Sequence, residues 1–431
     1  MTLEPRKLNP LTSLRFIAAT MIFFHHVGAN FGFPADLRWK FAFFNGVTFF
    51  FVLSGFILTY VYSSRPAMDK GAFLAARVAR LWPGHVAALL LLWLLAPEIA
   101  ADKFSVPKLI ANLAMVQSWI PSLEYNYSFV AASWSISTEF FFYLCFIFLI
   151  RNWSVTWPAK LACAFGLLCG MLVIVSYVTQ AWPREPDLRA SLLNIFPPSR
   201  LFQFVLGMAT ARLWLKHGPG ARTGRLAATA MECAALGLLV WVMFHVREWS
   251  APVGAMKFIG SAAYGWCING GLTMVPFALV IYSMAMQRGC LSALLSFSFP
   301  VLLGELSYAF YLLHQTLLAA YGKNREAFAC VPAWIQFACF FVSIWALAYL
   351  IWGGVEKPCR RYIVSLWPGP SYAVAAEAPA SMIDPAGLPI KPVHPGIVSP
   401  SRAGFMLAGG IVLAVFSAAI YLVKFHPHGQ G

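Results

Sequence analysis

Apolar runs of about twenty residues recur from residue 14 to residue 423, about eleven in all, separated by short stretches that hold most of the charge. A bilayer core about 30 Å thick is crossed by roughly 20 apolar residues of helix, so runs of this length can span it. Inside hydrocarbon every backbone amide needs an internal partner, which leaves only helices and closed barrels. Barrel strands alternate in polarity over about 10 residues, whereas these runs are apolar throughout. The fold class that follows is all-α. The chain reads as a polytopic integral membrane protein with a core of about ten helices and one extra C-terminal transmembrane helix.

Composition excludes the soluble alternative. Of 431 residues, 60% are hydrophobic and 11% are charged, against about 25% charged in a soluble domain. A formal charge of +15 raises the question of nucleic acid. The basic residues sit between apolar spans, however, so the positive-inside rule accounts for them and no nucleic-acid partner is expected. The nine cysteines are odd in number and scattered, with no CxxC pair. Neither a disulfide framework nor a metal site is expected, and the cysteines read as packing residues.

The first span, 14–33, follows a basic start (Arg6, Lys7) and is too long for a signal-peptide core, so it reads as an uncleaved helix. Further spans are expected at about 41–62, 85–99, 134–150, 162–182, 200–215, 226–246, 266–286, 304–321, 333–352 and 404–423. With the N-terminus in the cytosol, the loops carrying Lys70, Arg77 and Arg80, Arg151 and Lys160, Lys216 and Arg225, and Lys357, Arg360 and Arg361 all face inward. Residues 366–403 are rich in Pro, Ala, Gly and Ser and read as an extended cytosolic linker. The division is a membrane domain at 1–365, the linker at 366–403, and a last transmembrane helix with a short tail at 404–431.

Ionisable groups inside a membrane are costly, and each marks a functional candidate. Arg15 and His26 lie eleven residues apart. That spacing puts them within about 20° of one helix face and about 16 Å apart along the axis; His25 points roughly 80° away. A structural histidine bonded to a neighbouring helix is the plainer reading of His26. Arg77 and Arg80, at i and i+3, share a face and form a fork suited to phosphate oxygens; simple topology is the alternative. Glu139 is a carboxylate in a strongly apolar helix, in phase with Ser135 and Tyr143. It must be paired or protonated, as part of a site or as partner to a membrane arginine. Ser307, Tyr311 and His314 share a face of a later span, with His314 placed on a substrate path or holding another helix.

With these residues in hand, the sequence resembles the acyltransferase-3 family of membrane O-acyltransferases, which modify bacterial exopolysaccharides and lipopolysaccharides. Arg15 and His26 match its arginine and histidine separated by ten residues, and Phe50 to Phe56 looks like its second-helix signature. Arg77 and Arg80, Trp134 to Tyr143, Gly304 to His314, and Val355 to Pro358 with Arg360 and Arg361 follow in the family's order. Thr48 stands where some members carry an acidic residue.

The resemblance implies acyl-CoA, acetyl-CoA by family habit, as a cytosolic co-substrate rather than a resident cofactor. Arg77 and Arg80 would contact its phosphates. His26 would act as general base, Arg15 as an orienting or charge-stabilising group, and Glu139 as an aid to positioning His26. A covalent acyl-histidine is the competing mechanism. The acceptor would be a hydroxyl of a polysaccharide or lipid-linked sugar, and the setting the bacterial inner membrane. The eleventh span resembles one that tethers an extracytoplasmic domain in fused relatives, and no such domain is expected after it. A polytopic transporter, or a non-catalytic partner in polysaccharide export, is the alternative class.

Overall fold

The computed structural model describes residues 7–28, 30–31, 41–63, 68–218 and 223–367, and among them the secondary structure is helical, without strands. Ten long helices organise this part of the chain. They are α1 (Asn9–Val27), α2 (Gly46–Tyr62), α3 (Lys70–Leu95), α4 (Trp134–Leu149) and α5 (Trp153–Ala181). α6 (Pro197–His217), α7 (Arg225–Gly254), α8 (Gly260–Ala285), α9 (Ser298–Lys323) and α10 (Ala333–Ile351) follow. α10 runs on through a π-helical turn, Trp352–Glu356, into Lys357–Ser365. The expected linker and eleventh span lie outside the described residues.

Seven of the helices are long and apolar enough to cross a membrane. The three that fall outside that group, α1, α6 and α9, carry interior polar groups instead. Arg15 is on α1, Arg200 and Gln203 on α6, and Ser307 and His314 on α9. Large apolar side chains such as Leu94, Phe148, Val155 and Val342 stand on the outside, as a lipid-facing surface requires. Seven of the nine cysteines are exposed, so most sit on outer faces and not in the packing expected of them.

The helices overlap the expected apolar runs but several extend beyond them by five to fifteen residues, and two of these shifts bear on the site. α1 begins at Asn9, five residues early, because Pro10 opens the helix and its polar first turns pack inside the bundle. α3 begins at Lys70 instead of 85, because the Asp69 carboxylate accepts the Ala72 N–H at 3.0 Å and caps the helix there. Arg77 and Arg80 therefore lie within the helix, and not in a loop at its mouth. Hydropathy misses this turn because two arginines in it read as loop. α3 ends at Leu95, and Pro97 opens a separate short helix, Pro97–Asp102.

Helices α2 and α6 meet backbone to backbone. A Cβ on Gly55 would lie 2.0 Å from the Phe204 carbonyl oxygen, and one on Gly207 would lie 1.9 Å from that of Val52. Lipid tails are as apolar as leucine, so close packing and not solvent exclusion holds such helices together, and small residues permit it. The crossing is flanked by the fully buried rings of Phe51, Phe56, Phe142 and Phe204. Gly207→Val is expected to cost at least about 1–3 kcal/mol, the usual penalty of overpacking, and to lower the melting temperature in detergent micelles. Gly166→Ala, at a position with nothing within 4 Å of the added carbon, is the matched control and should not lower it.

Candidate active site

The polar residues of α1, α3, α4, α9 and α10 converge on one cavity of about 1140 Å³. Its α2 wall runs from Val61 to Val47, which at 1.5 Å per residue makes it about 20 Å deep. Seven basic side chains line it (Lys7, Arg15, Arg77, Arg80, Lys357, Arg360 and Arg361), against three carboxylates, Glu139, Glu305 and Glu356. The excess of positive charge sits within a low-dielectric bundle, where it acts on an anion far more strongly than in water.

Each of these groups is fixed by its helix. Arg77 is buried on α3 with its guanidinium 5.8 Å from the Phe73 ring and 5.9 Å from the Tyr143 ring, both within cation–π range. Arg80, one turn on, lies within electrostatic reach of Glu139, Glu356, Tyr143 and Tyr308. Arg15 shares the fields of Glu139, Glu356 and Arg80. Glu139 accepts hydrogen bonds from Ser54 Oγ at 3.1 Å and Tyr143 Oη at 2.5 Å. Glu356 is delivered by the π turn that ends α10, a local widening that often marks functional sites. It packs against Gly84, where an added Cβ would meet the carboxylate at 2.7 Å. Tyr308 Oη donates to the Leu81 carbonyl at 2.6 Å and ties α9 to α3.

The cavity ends at Val47, Phe50, Ser135 and Tyr311. Tyr311 is held by its hydroxyl, which donates to the Ala132 carbonyl at 3.1 Å and lies 2.9 Å from Ser135 Oγ. Ser307 also lines the cavity, and its hydroxyl donates to the Gly304 carbonyl.

Beyond this floor lies the second half of the site. His314 Nδ1 lies 2.5 Å from the Tyr311 carbonyl, His314 Nε2 lies 3.1 Å from His26 Nδ1, and His26 Nε2 lies 3.0 Å from the Gln315 amide nitrogen. With both imidazoles neutral, one arrangement of protons satisfies all three contacts. The carbonyl can only accept, so His314 carries its proton on Nδ1 and accepts at Nε2. His26 then carries its proton on Nδ1, and Gln315 donates to the lone pair on His26 Nε2. Two helices 288 residues apart in sequence thereby fix which nitrogen of His26 is basic.

The structure thus divides the residues singled out in the sequence. Arg15, Arg77, Arg80, Glu139, Ser307 and Tyr311 line the cavity. His26 and His314 form the pair behind it. Arg15 and His26 share a stripe of α1 but stand about 16 Å apart along it. Glu139 does not reach His26: it lies one turn from Ser135 toward the cavity mouth, and its bonds go to Ser54 and Tyr143. The described hydrogen bonds of His26 are to His314 and Gln315. Glu356 and Tyr308 join the cavity, although no spacing in the sequence marks them as neighbours of Arg15. Gln315 was hidden in the same way, as a neutral side chain beside a histidine.

Fold and site together define a polytopic membrane protein with a deep, positively charged cavity backed by an imidazole pair. The family described as an acyltransferase domain matches residues 10–353, and the chain belongs to that acyltransferase-3 family: it is a membrane-bound acyltransferase. It is 28% identical to the acyltransferase MdmB of Streptomyces mycarofaciens, over 83% of this chain and 92% of that one. It is 26% identical to the exopolysaccharide production protein ExoZ of Rhizobium meliloti (strain 1021), over 73% of this chain and 89% of that one. It is 23% identical to the O-acetyltransferase OatA of Staphylococcus aureus (strain COL), over 83% of this chain but only 58% of OatA. No solved structure matches the chain.

His26→Ala is expected to lower turnover by about 10²–10⁴-fold if the pair moves a proton in the reaction. His314→Ala leaves the His26 Nδ1 proton without its acceptor and should lower kcat about tenfold, the worth of one such hydrogen bond. Steady-state kinetics on purified protein check this. The donor KM should stay unchanged in both variants, since neither side chain lines the cavity.

Proposed function

We propose that this enzyme transfers a small acyl group, acetyl in the first instance, from cytosolic acyl-CoA to a hydroxyl of a carbohydrate acceptor presented at the opposite membrane face. The observation that carries the reading is a deep basic cavity that stops one aromatic layer short of the His26–His314 pair. A coenzyme A thioester is an anionic head on a long neutral arm. Arg77 and Arg80, with Arg360 and Arg361, are placed for the phosphates. The α2 wall of Phe51, Ile57, Leu58 and Val61 takes the arm. The setting proposed is the bacterial cytoplasmic membrane with the N-terminus, and so the cavity mouth, on the cytosolic side. ExoZ, by its name an exopolysaccharide production protein, supports a carbohydrate acceptor.

In this scheme the acceptor hydroxyl displaces the Gln315 amide from His26 Nε2. The nitrogen removes the hydroxyl proton as the oxygen attacks the thioester carbonyl carbon. The new C–O bond forms, the C–S bond breaks, and the proton passes to the departing thiolate. Arg15 stabilises negative charge on the cavity side, and Glu139 holds Arg15 and Arg80 in register without itself reaching His26.

Two measurements test the proposal. In proteoliposomes, Arg80→Gln should raise the KM for acetyl-CoA about tenfold or more, as loss of a charge-assisted hydrogen bond does. The same change should leave acetyl-pantetheine, which lacks the nucleotide phosphates, unaffected. Equal losses with both donors would remove the phosphate-binding role. In cells, mass spectrometry of envelope glycans should show an acyl increment that disappears on deletion and in His26→Ala. Acylation unchanged by deletion, with export lost, would leave the transporter reading in its place.

A further inference from the structure

We infer that the Phe50–Tyr311 contact at the cavity floor is an acyl-chain selector that admits short acyl groups to His26 and turns longer ones back. The inference rests on the acyl-CoA reading above. The cavity lining reaches Phe50 and Tyr311 and does not include His26 or His314. The Phe50 and Tyr311 rings stand 6.1 Å apart between centroids, which is a contact distance for aromatic rings, so no passage is open between them. On the far side, the Tyr311 ring is 5.7 Å from the His314 ring, and His314 is 5.1 Å from His26. One layer of rings therefore separates the donor compartment from the base.

The two rings are not held alike. Tyr311 is pinned through its hydroxyl to Ser135 and the Ala132 carbonyl, and it is buried. Phe50 has no hydrogen-bonding group and borders the cavity, half-buried. A thioester reaches His26 by displacing the Phe50 ring, and the gap so opened is set by one side chain turning between rotamers. An acyl group no larger than that gap reacts, whereas each added methylene must be forced against the fixed Tyr311 ring. A single methylene that a pocket accepts or refuses changes specificity by roughly 10–200-fold.

The experiment is a donor competition on purified protein in proteoliposomes, with acetyl-, butyryl- and hexanoyl-CoA and a common acceptor. It compares wild type, Phe50→Ala and Phe50→Leu. The wild type should favour acetyl, and Phe50→Ala should raise the butyryl-to-acetyl ratio of kcat/KM about tenfold or more, with Phe50→Leu between the two. An unchanged ratio in variants that still transfer acetyl overturns the selector. Where Phe50→Ala is inactive with every donor, the ratio for Phe50→Leu decides. Inactivity of both variants with acetyl-CoA still bound also overturns it, since Phe50 would then be required by the reaction and not a barrier to it. A wild type that uses no acyl-CoA at all is a different result, because it removes the donor assignment and not the selector alone.

Discussion

Charge buried in a bilayer organises the rest of this molecule. Arg15, Arg77, Arg80 and Arg360 cannot face lipid, because an unaccompanied cation at membrane depth costs several kcal/mol or more. Nor can they be neutralised one by one, since seven basic groups share the cavity with three carboxylates. The solution is a ring of helices whose apolar faces point outward and whose polar faces close on a common cavity. α1 and α9, two of the helices with lower hydropathy, lie inside that ring. α2 packs backbone to backbone on α6 at Gly55 and Gly207, and its Ser54 donates to the α4 carboxylate Glu139. The remaining positive charge is what the proposed anionic donor would meet.

The same economy explains why the site has two compartments. A cavity able to hold many charges must be wet, and a base that deprotonates a hydroxyl works best where water is excluded and its own proton position is fixed. Tyr311 serves both sides at once. Its ring and hydroxyl close the cavity against Ser135 and Phe50, while its backbone carbonyl orders the His314–His26–Gln315 chain. The fixed ring and the carbonyl that sets the proton positions thus belong to one residue, held by the Ser135 and Ala132 contacts and by α9.

Much of this was legible in the sequence, and the reason is the bilayer. The all-helical class and the order of the described helices follow from apolar runs, because hydrocarbon permits no other use of them. The ionisable residues worth attention follow from their cost. What hydropathy could not supply was anything carried by a polar turn: the capped start of α3 at Asp69, the polar opening of α1, and the π turn that presents Glu356. Pairings across the bundle were equally out of reach. Helical phase aligned Arg15 with His26, and that alignment is real. It says nothing about depth, and depth is what assigns the two residues to different compartments. The part given to Glu139 beside His26 came from the family resemblance and not from helical phase; its described bonds, one turn from Ser135, are to Ser54 and Tyr143.

The hydrogen-bond chain also discriminates among the histidines more sharply than helical phase does. Both nitrogens of His314 are committed, one to the Tyr311 carbonyl and one to His26. It could act as a base only by releasing His26. His25 has its ring edge-on to Phe44 at 5.3 Å, on a face of α1 turned away from α9. His26 has its Nε2 against the neutral Gln315 amide, and in the proposed reaction exchanging that amide N–H for a substrate O–H replaces one neutral hydrogen bond with another at little net cost. A base held by a partner it can surrender cheaply is ready for a hydroxyl. One held by a carboxylate would have to break a stronger, charge-assisted bond first.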